Sequence, residues 1–113
     1  MDPFVRRLVE RLFEPGHPLS RNRHFHTFEN AEGKRALRIR RRLEALQEAI
    51  DDCRAAGKLP RVKRSTDEDG LVTVELRLEG TQGTRTTYLE GDEFELLLRL
   101  PGVREALDGS EAI

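Results

Sequence analysis

Six basic side chains stand among nine consecutive positions of KRALRIRRRLEAL, residues 34 to 46: Lys34, Arg35, Arg38, Arg40, Arg41 and Arg42. Ammonium and guanidinium groups at this density suit contact with anions, either phosphates or carboxylates. A helix turns by about 100° per residue, which gathers Lys34, Arg35, Arg38, Arg41 and Arg42 into one arc of about 120° and leaves Arg40 elsewhere. Beside that arc, Ile39, Leu43, Leu46, Ile50 and Cys53 alternate four and three residues apart, as the seam positions of a coiled coil do. Further along, Glu44, Glu48, Asp51 and Asp52 make the polar face acidic. Acidic charge near a helix C-terminus opposes the helix dipole, so the basic-then-acidic order asks for a cause outside the helix itself.

Other reactive residue types are sparse. His17, His24 and His26 are three imidazoles, but no second ligand cluster accompanies them, and no metal site is expected. No serine sits in a nucleophile motif, Gly80-x-x-Gly83 reads as a turn, and the carboxylates show no spacing that singles out an acid and base pair. No cofactor, small-molecule substrate or catalytic activity is expected. Cys53 is the single cysteine, unable to form an internal disulfide, and reads as a small buried hydrophobe.

These residues need a scaffold, and 113 residues are enough for one core, so the expectation is one domain over residues 1 to 113. Apolar and charged residues each make up 36% of the chain, and there is no Trp, which implies a Leu- and Val-based core under a charged shell. No apolar run approaches the roughly 18 residues of a membrane span. With no signal-peptide core in MDPFVRRLVERLFE and a lone cysteine, a cytoplasmic location is expected. The net charge of −1 conceals an asymmetry: residues 1 to 64 hold 16 Lys/Arg against 9 Asp/Glu, and residues 65 to 113 hold 4 against 12. A basic helical half (1 to 57) thus precedes an acidic sheet-plus-helix half (58 to 113), and the opposed charges can be met within the molecule or by a partner.

Asp2 and Pro3 open a first helix whose Phe4, Val5, Leu8, Val9, Leu12 and Phe13 recur at three and four before Pro15-Gly16. Residues 15 to 28 read as a connection pinned by Leu19, Phe25 and Phe28. A long helix starts at Thr27 or Asn30 and ends near Ala56, with Gly57 just beyond. The period then changes to two, because Val72, Val74, Leu76 and Leu78 alternate with polar residues. DEDG at 67 to 70 and GTQG at 80 to 83 are turn signals, so a three-stranded antiparallel meander over 61 to 66, 71 to 79 and 84 to 90 is predicted. Asp92 with Glu95 resembles a capping box for a helix over 92 to 99, and a last helix over 102 to 108 closes at Gly109. Four leucines within 96 to 100 exceed one helical face and predict burial on more than one side. The fold class is α+β, with two N-terminal helices, the second one long, the meander, and one or two short C-terminal helices.

The tail TRTTYLEGDEFELLLRLPGVREAL, residues 84 to 107, resembles the closing strand and helix of the single-stranded-DNA-binding transcriptional coactivators. That resemblance covers about a fifth of the chain. The family binds DNA with basic strands, whereas the central strand here carries Glu75 and Glu79, so no function is carried over.

Two functional expectations follow. The first is a small non-catalytic interaction or regulatory module, whose long helix serves self-association as a homodimer or binds an acidic protein partner. Its seam would be Ile39, Leu43, Leu46 and Ile50, with Arg38, Arg41 and Arg42 set against Glu44, Glu48 and Asp51 of an antiparallel mate. The alternative is nucleic-acid binding, in which Lys34, Arg35, Arg38, Arg41 and Arg42 join Arg21 and Arg23 of RNRHFHTF on phosphates while Phe25 or Phe28 stacks on a base.

Overall fold

The computed structural model describes residues 1 to 13 and 30 to 113, arranged as an α+β fold of four helices and four strands among those residues. In chain order these are α1 (Pro3–Leu12), α2 (Ala31–Ala55), β1 (Arg61–Thr66), β2 (Val72–Gly80), β3 (Gly83–Glu90), α3 (Gly91–Leu97), α4 (Val103–Asp108) and β4 (Glu111–Ala112). The connection expected over 15 to 28, with its histidines, Arg21 and Arg23, lies outside the described residues.

Local chemistry sets most boundaries. The Asp2 carboxylate accepts from the Phe4 and Val5 amides, with Pro3 filling the first helical position, where a missing N–H costs nothing. Asn30 does the same for α2 through the Gly33 amide at 2.6 Å. The cap of α3 lies two residues earlier than the sequence suggests. Glu90 and Glu93, rather than Asp92 and Glu95, form its capping box, because β3 runs without a loop into the helix. Asp67 organises the β1–β2 turn, accepting at 2.9 Å from both the Asp69 and Leu71 amides.

The sheet order is β3-β2-β1-β4. The expected antiparallel meander forms its first three members. A fourth strand lies outside the predicted set: β4 runs parallel to β1 through Arg61↔Glu111 and Val62↔Ala112. Two residues are too short to show an alternating pattern, so this strand is invisible to periodicity.

One sheet face is covered by helices. Val74, Leu76 and Leu78 of β2 and Leu89 of β3 point inward and are almost wholly buried, meeting Leu43, Leu46, Ile50 and Cys53 of α2, Val5, Leu8, Val9 and Leu12 of α1, and Phe94, Leu96 and Leu97 of α3. Each fully buried leucine contributes about 1.5–3 kcal/mol by leaving water. The leucine run is buried on more than one side, as its density requires: Leu96, Leu97 and Leu100 are buried and Leu98 is half-buried. Phe4 departs from its helical pattern and is exposed, at the edge of the α1 apolar stripe.

Cys53 is fully buried and its Sγ donates to the Lys58 carbonyl at 3.7 Å. Burial pushes its thiol up from the ordinary value. The folded chain therefore holds this proton more tightly than the unfolded chain, so the corresponding stability is present below the ordinary thiol value and is lost as pH rises through the folded one. The folded protein is expected to resist a thiol reagent such as iodoacetamide at pH 8 and to react promptly in urea. Prompt modification of the native protein would contradict the packing at this position.

Candidate functional site: the exposed face of the long helix

The apolar stripe of α2 is consumed by the fold. Leu43, Leu46 and Ile50 have no solvent exposure and Ile39 is half-buried against the same core, packed on α1, the sheet and α3. A seam through these four residues cannot meet a second copy without opening the chain's own core. The stripe's four-three spacing fits an intrachain core as well as an interchain seam, because both require one apolar helix face.

The basic arc divides into two groups. Arg42 is held within the chain: its Nη1 donates to Glu93 Oε2 at 2.8 Å and its Nη2 to the Tyr88 carbonyl at 2.7 Å. Glu93 is a buried carboxylate, and Arg42 is its charge partner. Lys34, Arg35, Arg38 and Arg41 are exposed, and among the described residues no carboxylate lies within ion-pair distance of them. Arg40, outside the arc, pairs with Glu44 and lies over the Phe13 ring at 5.4 Å.

The acidic end of α2 has a partner that the sequence does not reveal. Asp52 accepts from the Thr81 amide at 3.0 Å and from the Thr81 hydroxyl at 2.9 Å, fixing the β2–β3 turn. A methyl group at position 80 would collide with this carboxylate, so a larger residue there would push Asp52 from its place on Thr81. Two contacts thus anchor α2 over the sheet, with Arg42 at one end of β3 and Asp52 at the other. They account for one acidic residue of the helix, while Glu48 and Asp51 remain exposed.

The contact at Tyr88 also orients the strand. Its carbonyl receives a guanidinium from outside the β2–β3 ladder, so Tyr88 points its backbone groups away from β2, and by the alternation of an antiparallel pair so do Thr84 and Thr86. Among the described residues no strand covers this side of β3. The opposite sheet edge is blunter: β4 covers the start of β1, and the rest carries Lys63 and Arg64.

The described surface has modest hollows. One of about 490 Å³ is lined by Asp67, Leu71, Val72, Glu90, Asp92 and Glu95. Among the described residues no three His, Cys, Asp or Glu side chains converge as metal ligands, and no helix is long and apolar enough to cross a membrane. Arg21, Arg23, His17, His24 and His26 lie outside the described residues.

No family model, curated protein or solved structure matches this chain.

Proposed function

We propose that this chain is a small non-catalytic interaction module that docks an acidic protein surface on the exposed face of α2. The observation that carries the reading is the contrast within one helix. Arg40 and Arg42 have carboxylate partners in the chain, whereas Lys34, Arg35, Arg38 and Arg41 project into solvent with none among the described residues. Four such cations on a rigid, 25-residue helix form a concentrated positive field. The acidic C-terminal part of the same face, with Glu48 and Asp52, restricts the complementary surface to one whose charge also reverses along its length.

Nucleic acid is the second reading, favoured by the same four cations. Salt dependence separates the two. If Lys34, Arg35, Arg38 and Arg41, with Arg42 nearby, neutralise about five phosphates, the logarithm of affinity falls against log salt with a slope near −4 to −5, roughly a 500-fold loss between 50 and 200 mM. For the proposed module, an acidic peptide such as oligoglutamate is expected to bind more tightly than single- or double-stranded DNA or RNA of equal charge, and to be lost on Arg38→Glu with Arg41→Glu. Tighter binding to nucleic acid with the steep slope would reject the protein-docking reading in favour of the second.

A further inference from the structure

We propose that the acidic surface is supplied by a second copy of this chain, joined antiparallel through the edge of β3 that no described strand covers, so that two four-stranded sheets become one sheet of eight strands. The inference rests on the cationic-face reading above and names its partner. Its starting point is the edge itself. β3 spans eight residues, and its outward positions Thr84, Thr86 and Tyr88 are exposed, with neither proline nor lysine among them to discourage pairing.

Charge excludes one register. A two-fold axis at Arg85 would set Arg85 against its own copy. An axis at Thr86 sets Arg85 opposite Thr87 and Thr84 opposite Tyr88, so no like charges meet along the edge. Thr86 then donates its N–H to the Thr86 carbonyl of the second copy and accepts the reciprocal bond. The Tyr88 carbonyl keeps a second lone pair beside the one taken by Arg42.

The helix face is self-complementary about the same level. Arg42 lies at Tyr88 and Asp52 at Thr81, so α2 runs antiparallel to β3, and interpolation between these contacts puts Ala45 level with Thr86. Adjacent strands are about 4.8 Å apart, which sets α2 and its copy, lying over the two β2 strands, about 14 Å apart. Long side chains close that gap. A two-fold axis at Ala45 sets Arg38 level with Asp52 of the second copy and Arg41 level with Ala49, one residue from Glu48, so each arginine meets a carboxylate. Strand edge and helix face are thus compatible with one axis, which uses the polar face of α2, including the half-buried Asp52 that also holds Thr81, rather than its buried stripe.

Disulfide trapping tests the axis directly. Directly opposed residues of a hydrogen-bonded antiparallel pair have Cα atoms about 5.5 Å apart, within disulfide range. Under mild oxidation at micromolar concentration, Thr86→Cys is expected to form a covalent dimer at least tenfold faster than Thr84→Cys, whose copies would be separated along the strand. Thr86→Pro removes the edge N–H without touching the β2 ladder and is expected to weaken dimerisation at least tenfold with the circular dichroism spectrum unchanged. Equal trapping rates at 84 and 86, or no trapping at either, would overturn the edge pairing. If oligoglutamate still binds and is still lost on Arg38→Glu with Arg41→Glu, the cationic-face reading survives that failure. Trapping at 86 that ignores both reversals would keep the strand pairing but overturn the helix-face complementarity.

Discussion

Leu46→Ala is expected to lower the free energy of unfolding by about 2–5 kcal/mol, and by the same amount at every protein concentration. Leu46 has no solvent exposure and packs in the cluster that joins α1, α2, the sheet and α3, so truncation leaves a cavity in the chain's own core. Ile39, half-buried on the same stripe, is expected to cost less on the same change. Urea unfolding at two concentrations tenfold apart checks the assignment. Stability of a residue buried between copies depends on protein concentration, whereas that of an intrachain core residue does not. A penalty for Leu46→Ala that appears only in the concentrated sample would return this stripe to an interface.

Leu96→Lys is expected to be more damaging still, by about 4 kcal/mol or more, because an ammonium would be placed where no water and no partner reaches it. Leu96 is fully buried, as is its neighbour Leu97. Leu98→Lys supplies the comparison. Leu98 is half-buried and a lysine there can carry its charge to solvent along its own stem, so a clearly smaller loss is expected. Equal small losses at both positions, read by thermal or urea unfolding, would show that α3 is not enclosed.

Much of this architecture is legible from residue pattern. Asp2-Pro3 marks α1 because a side-chain acceptor followed by a proline meets the needs of a helix start, and the alternation from Val72 to Leu78 marks β2 because a half-buried strand needs it. What escapes is decided by distant contacts. β4 exists through two backbone pairings to β1, and Asp52 is fixed by Thr81, 29 residues away, a relation no local period records. The candidate site is legible in part for the same reason. Periodicity places Lys34, Arg35, Arg38 and Arg41 on one face, but it cannot distinguish them from Arg42, whose neighbours Glu93 and Tyr88 come from β3 and α3. Nor could spacing decide whether Leu43, Leu46 and Ile50 meet a mate or the chain's own sheet, since both answers require the same stripe. That no described strand covers the outer edge of β3 becomes visible only once the strand order is known. The sequence signal of that edge is TRTT, three β-branched threonines about one arginine, with neither proline nor lysine.

The most direct test of α2 as a binding face is a charge swap between Arg41 and Glu48, two exposed residues with no partner for either charge among the described residues. Sedimentation equilibrium over a concentration series would measure the dimer constant of the wild type, Arg41→Glu, Glu48→Arg and the double variant. A two-fold interface contains the pair twice, and exposed pairs are worth about 0.2–1 kcal/mol each, so each single reversal is expected to weaken the dimer about tenfold. The double variant, which restores opposite charges across the axis, is expected to return to within about threefold of the wild type. A wild type that stays monomeric at every concentration, or single reversals that leave the dimer constant unchanged, would contradict the account.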